Sequence, residues 1–140
     1  SFLPLICYEI IFPNALFSVP RPSWIINITN DAWFGNSTGP RQHLALSKMR
    51  AVEFGLPVAR AANTGVSAMI DPWGRVVDQL ELGVSGYIDV GLPKALPTTV
   101  YASVGEYLVV VIVFCILGLS SIMRWGKKCH LYIALLIFRK

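Results

Sequence analysis

From Tyr107 to Met123 the chain reads YLVVVIVFCILGLSSIM, a run without a charged side chain. As an α-helix this run is about 26 Å long, and with Tyr101–Glu106 added it matches the roughly 30 Å hydrocarbon core of a bilayer. The alternative, a buried core helix, seldom extends so far without a polar stripe. The expectation is one transmembrane helix, and its late position excludes a secretory signal. The run also explains the composition. Hydrophobic residues make up 54% of the chain and charged residues 14%, against a usual charged share of about a quarter.

Charge gives the helix an orientation. Residues 124–140 hold Arg124, Lys127, Lys128, Arg139 and Lys140 and no acid, while the whole chain carries +4. The basic excess is therefore a property of the tail, and nothing in it argues for a nucleic-acid partner. Lys and Arg directly after a span favour the cytoplasmic side, which places residues 1–100 outside the cytoplasm. The expected organisation is a folded domain over 1–97, a linker and transmembrane helix over 98–125, and a basic cytoplasmic tail over 126–140. The tail's apolar run 131–138 is too short to cross a bilayer. An interfacial segment and an altered reading frame both fit it. The chain opens at Ser1 within an apolar, strand-like run, so a natural N-terminus further upstream is expected.

Before the helix, strand and helix signals alternate. Leu3–Cys7 reads as a buried strand, Tyr8–Phe12 as a turn or short helix, and Pro13 suits the first position of a further helix. Trp24–Ile28 (WIINI) is a second buried strand, running into the loop-rich Thr29-Asn30-Asp31. Gly39-Pro40 opens a helix to about Phe54, stopped by Gly55 and Pro57. Ala45, Met49, Val52 and Leu56 recur at helical spacing and are expected to form its buried face. Pro57–Ala62 is a third strand. Ser67–Ile70 and Val76–Leu80 flank Asp71-Pro72-Trp73-Gly74-Arg75 as a hairpin. Gly86–Val90 is expected as a last short strand, and Pro93–Pro97 as a linker. This alternation suits an α/β layered sandwich.

Cys7 follows a strand and precedes a helical turn. That geometry exposes a side chain at the sheet's rim, lets the N–H groups of Tyr8 and Glu9 face an oxyanion, and favours the nucleophilic thiolate at a helix start. An inert core cysteine is the alternative. Glu9 can position a base or bind a polar head, or be an ordinary acid at a helix start. Tyr8 can hydrogen-bond or simply pack. Asn30–Gly35 should end at the same rim as Cys7 if the two strands are parallel neighbours. There Trp33 and Phe34 suit lipid-chain contact if exposed, and core packing otherwise. His43 allows a Cys–His dyad or a structural role. Cys115 sits in the apolar run and Cys129 in the tail, with no disulfide framework. No His, Cys and acid residues stand at metal-ligand spacing, so no metal is expected. A phosphate-cradling glycine loop is also missing.

Taken together these segments resemble one family. Pro4-Leu5-Ile6-Cys7-Tyr8-Glu9 with Phe12-Pro13 is similar to the nucleophile segment of the nitrilase superfamily. Arg50-Ala51-Val52-Glu53 and Arg60–Gly65 (RAANTG) resemble its next signature. Asn30–Gly35 (NDAWFG), Gly39-Pro40 and Gln42-His43 resemble the apolipoprotein N-acyltransferase family within it. The resemblance implies the C-terminal half of an αββα sandwich, followed by one transmembrane helix in the bacterial inner membrane, with the domain on the periplasmic side. It implies Cys7 as nucleophile, Tyr8 N–H as an oxyanion donor, Glu9 as an acid required beside the thiol, and Trp33, Phe34 and Asn30 on the substrate side. It implies a phospholipid acyl donor, a diacylglyceryl-apolipoprotein acceptor, and no cofactor. The family's general-base Glu and oxyanion-binding Lys lie upstream of its nucleophile, and residues 1–6 include neither. The chain alone is therefore expected to be inactive. Two other readings stay open: an amidase or nitrile hydrolase using the same thiol, and a non-catalytic membrane-anchored remnant.

Overall fold

The computed structural model describes residues 1–17 and 20–121. The chain divides into two compact units, Ser1–Ser103 and Val104–Lys140. In the first, β1 (Phe2–Ile6) runs into a 3-10 helix (Cys7–Ile11) and a short α1 (Asn14–Phe17). Then β2 (Trp24–Asn30) runs into a second 3-10 helix (Asp31–Phe34) and α2 (Gly39–Phe54), followed by β3 (Val58–Asn63), β4 (Ser67–Ile70) and β5 (Val76–Leu80); α3 (Val100–Val104) ends at the first residue of the second unit. The strands form one mixed sheet in sequence order. β1, β2 and β3 are parallel, with Ile6 opposite Ile28 and Asn27 opposite Arg60. β4 and β5 complete it antiparallel. The helical connections explain the change of sense, since parallel neighbours need a crossover and a hairpin does not.

The two faces of the sheet differ. Leu5, Ile25, Val58, Ala68 and Ile70 point to one face and form a buried core with Ile10, Leu16, Ala51, Phe54 and Leu56. Each such Leu, Ile or Phe contributes about 1.5–3 kcal/mol by leaving water. The other face carries Phe2, Ile6 and Ile28, which are 56%, 55% and 50% exposed. An apolar sheet face normally has a second layer upon it. Among the described residues, no layer covers these three.

α2 has the bounds expected, but the opposite face of it is buried. Ala45, Met49 and Val52 are exposed, while Pro40, His43, Ser47, Arg50, Ala51 and Phe54 point inward. Only Leu56, beyond the helix, is buried as expected. The reason lies in the sheet below, whose inner face carries Asn27, Arg60 and the adjoining Asp31. A helix covering that layer must bring hydrogen-bonding groups to it. α2 ends where Gly55 turns left-handed, at φ 62°. A Cβ there would lie 3.2 Å from Leu96 Cβ and 3.3 Å from Pro97 O. Arg21 Nη2 donates to the α2 terminal carbonyl of Phe54 at 3.1 Å and to Leu96 O at 2.8 Å. Pro93–Pro97 is thus docked on the end of α2.

Gly86–Val90 is not a strand. It pairs with no strand edge, and Gly86, Tyr87, Ile88 and Val90 instead line a groove of about 290 Å³ with Ile26, Ala59 and Met69. In the second unit, residues 107–121 are helical. No helix among the described residues is long and apolar enough to cross a membrane. The end of the span expected over Tyr107–Met123, and the tail with Cys129, lie outside the described residues.

Candidate active site

β1 and β2 are parallel neighbours, so Cys7 and the segment Thr29–Asp31 reach the same rim. Cys7 opens its 3-10 helix at φ 51°. A non-glycine residue in the left-handed region costs about 1–3 kcal/mol and persists only where its surroundings impose it. Asn27 imposes it here. Its Nδ2 donates to Leu5 O at 3.0 Å and to Cys7 O at 3.3 Å, clamping the chain on both sides of the turn. Glu9 folds back as well, its Oε2 accepting from Ile6 N–H at 2.6 Å. The half-buried thiol is left at the head of a sharp turn held from two sides.

Beneath the thiol lies a buried polar layer. Asp31, 1% exposed, is its centre. Its Oδ2 accepts from Arg60 Nη2 at 2.6 Å, and its Oδ1 meets His43 Nδ1 at 2.9 Å and the Thr29 hydroxyl at 3.1 Å. Arg60 also donates to Asn27 Oδ1, to Ser47 Oγ and to Val66 O. Burial lowers the Arg60 pKa from its ordinary value, an effect that the attraction of Asp31 and of Cys7 offsets only in part. Thr29 Oγ1 lies 3.4 Å from Cys7 Sγ and so joins the thiol to the layer. The turn after β3 is shaped around the same carboxylate. A Cβ on Gly65 would lie 2.3 Å from Asp31 Oδ2, so only glycine leaves room for it.

The remaining expected residues separate. Tyr8 is half exposed and stacks on the His43 ring at 5.3 Å, with Phe34 at 6.0 Å. Trp33 is 86% exposed. Phe34 is partly buried against Gly39 rather than exposed beside it. Asn30 Oδ1 accepts from Ala32 N–H at 3.2 Å and Asn63 Nδ2 at 3.0 Å, so its amide oxygen ties the ends of β2 and β3. His43 forms no dyad with Cys7. Its Nδ1 is turned to Asp31 and its buried Nε2 has no partner among the described residues.

Sequence reasoning missed Asn27 and Ser47, and met Thr29, Asp31 and Arg60 only as members of longer segments. One signal was present: an amide inside WIINI and a guanidinium inside PVARAA. A lone polar side chain in an apolar strand must find a buried partner. The arrangement as a whole offers a strained, partly accessible thiol, a hydroxyl on its sulfur, helix-start N–H groups beside it, and a neutralised carboxylate behind.

Known proteins resemble the chain in sequence. The chain is 54% identical over 129 residues to a protein of Bradyrhizobium diazoefficiens named apolipoprotein N-acyltransferase, covering 91% of this chain and 24% of that protein. With the protein of the same name from Rhodopseudomonas palustris it shares 56% over 123 residues, covering 87% of this chain and 23% of that one. The chain thus spans about a quarter of the length of these curated relatives. In fold it is similar to Nit3 of Saccharomyces cerevisiae, a member of branch 10 of the nitrilase superfamily. That match has a TM-score of 0.50 and 24% identity, over 60% of this chain and 34% of that one. The carbon-nitrogen hydrolase profile matches residues 2–98, the unit that carries the strained thiol and its polar layer, and the chain belongs to the carbon-nitrogen hydrolase family.

Proposed function

We propose that this chain is part of an N-acyltransferase that moves an sn-1 acyl chain from a phospholipid, through a thioester on Cys7, to the N-terminal diacylglyceryl-cysteine amine of apolipoproteins. The observation that carries the reading is identity above one half, along most of the chain, to proteins named apolipoprotein N-acyltransferase. The left-handed Cys7 at the end of β1 supports a thiol nucleophile, since such strain gathers at functional sites.

The chemistry runs in two steps. The Cys7 thiolate attacks the ester carbonyl, the tetrahedral oxyanion collapses, and the lysophospholipid leaves with its alkoxide protonated. The acceptor amine then attacks the thioester, an amide forms, and the thiol is regenerated. Covalent catalysis of this kind replaces one difficult transfer with two easier ones. Tyr8 N–H, at the start of the 3-10 helix, is the oxyanion donor in this reading, and Glu9 holds the turn through Ile6 N–H. Trp33, largely exposed, meets the acyl chain, with Phe34 and Asn30 behind it.

The same reading makes residues 1–97 half of a catalytic sandwich. The apolar face with Phe2, Ile6 and Ile28 is what the other half covers, and that half supplies the family's general base and oxyanion lysine. The 140 residues alone are then inactive. The apolar helix 107–121 extends into a membrane span, with the catalytic domain on the periplasmic side of the inner membrane and the basic tail in the cytoplasm.

Intact-protein mass of the full-length protein, before and after incubation with phosphatidylethanolamine, tests this. An acyl increment that hydroxylamine removes and Cys7→Ala prevents is the expected result. Turnover retained in Cys7→Ala, or an acyl group released only to water in the presence of a diacylglyceryl peptide, overturns it.

A further inference from the structure

We propose that Thr29 is a catalytic residue of this site, its hydroxyl donating to Asp31 Oδ1 while Cys7 is a thiol and turning to donate to Cys7 Sγ when the thiolate forms. The inference rests on the reading of Cys7 as nucleophile and deepens it. A hydroxyl has a single proton, and Thr29 Oγ1 has two acceptors within reach: Cys7 Sγ at 3.4 Å and Asp31 Oδ1 at 3.1 Å. Thr29 is 6% exposed, so bulk water hardly competes for either. The turn of the hydroxyl does not strand the carboxylate. Asp31 Oδ1 keeps His43 Nδ1, which carries its hydrogen toward a carboxylate acceptor, and Oδ2 keeps Arg60.

The charges around the sulfur make the hydroxyl matter. From β3, Arg60 attracts a thiolate, but it is paired with Asp31. From the second 3-10 helix, Asp31 repels one. From α2, the His43 ring is committed to Asp31, and on the thiol's own turn Glu9 is exposed and bonded to Ile6 N–H. Thr29 stands between the carboxylate and the sulfur. With the hydroxyl turned to Sγ, the thiolate meets a donor; without it, two anions face each other across a buried gap. A hydrogen bond to the charged form favours that form. Thr29 itself neither gains nor loses a proton, and the thiol's proton leaves to the base or buffer.

The test is the rate of iodoacetamide alkylation of Cys7 against pH in the intact chain, read by peptide mass so that Cys115 and Cys129 do not contribute. The S–C bond forms as iodide leaves, and the rate follows the thiolate. For Thr29→Val we expect the pH midpoint to rise by about one unit, or about tenfold less thiolate at a fixed pH below it. Thr29→Ser, which keeps the hydroxyl, should match the parent. A folded Thr29→Val with an unmoved midpoint, or a Thr29→Ser displaced as far as Val, overturns the proposal. If Val prevents folding, Thr29→Ala takes its place with the same criterion. In the full-length protein the acyl adduct should form about tenfold more slowly in Thr29→Val below the midpoint and recover as pH rises. Turnover retained in Cys7→Ala sinks the nucleophile reading and with it the catalytic role of Thr29, whereas an unmoved alkylation midpoint in Thr29→Val sinks the Thr29–sulfur contact and leaves Cys7 as nucleophile standing.

Discussion

Arg60→Met removes the cation from the buried layer and leaves a side chain of comparable reach. The loss can be worked from the contacts. Asp31 Oδ2 loses its 2.6 Å donor in a site where the residue is 1% exposed, and Asn27 Oδ1, Ser47 Oγ and Val66 O each lose a donor as well. Breaking a buried pair by removing one partner costs about 3–5 kcal/mol, because an uncompensated charge stays behind. In a domain of this size that lowers Tm by about 12 °C or more. The pair itself is not a large source of stability. Burial already depresses the Arg60 pKa despite Asp31 beside it. Arg60→Met combined with Asp31→Leu should therefore be less damaging than the sum of the single changes, with a coupling of about 2 kcal/mol. Urea unfolding of the four proteins, followed by far-UV circular dichroism, measures the cycle. Additivity within about 0.5 kcal/mol, or a loss below about 1 kcal/mol for Arg60→Met alone, would refute the reasoning.

At the β4–β5 turn, burial works to raise the Asp71 pKa, but the Arg75 and Trp73 N–H groups and the Arg75 guanidinium outweigh it and leave the value lowered. Because the folded value lies below the unfolded one, the stabilisation is present at neutral pH and lost as pH falls through the folded value. Asp71→Asn keeps an acceptor for both N–H groups and should flatten the decline of the urea midpoint between about pH 5 and about pH 2; an unchanged acid slope would remove Asp71 as its source. Trp33→Ala should leave unfolding within about 0.5 kcal/mol, as expected of an exposed side chain, while slowing acyl transfer in the full-length protein. Collapse of the fold on that change would mean Trp33 is packed.

Much of the scaffold was legible because it rests on local rules. The Gly39-Pro40 start and the Gly55-Pro57 stop bound α2 correctly, and Asp71–Arg75 marked the hairpin turn. Cys7 stood out because a strand signal ends there. Glu9 and Tyr8 were legible as neighbours of the thiol, but not that Glu9 would fold back onto Ile6 N–H or Tyr8 stack on His43. Gly86–Val90 has the composition of a strand, yet composition does not supply a free edge with which to pair.

By itself, the sequence determined the order and type of the early elements, the nucleophile candidate, the family resemblance and the uncharged run near the end. Each is written in consecutive residues or in spacing along one element. Tertiary structure alone decided which face of α2 is buried. Helical periodicity distinguishes Ala45, Met49 and Val52 from His43, Ser47 and Arg50, but it does not say which set meets the sheet. That choice follows from the parallel register that sets Asn27 beside Arg60 and from the chain path that brings Asp31 over them. A buried layer of amide, carboxylate and guanidinium selects a polar helix face, because unpaired polar groups cost more under an apolar cover than the exposed Met49 and Val52 lose to water.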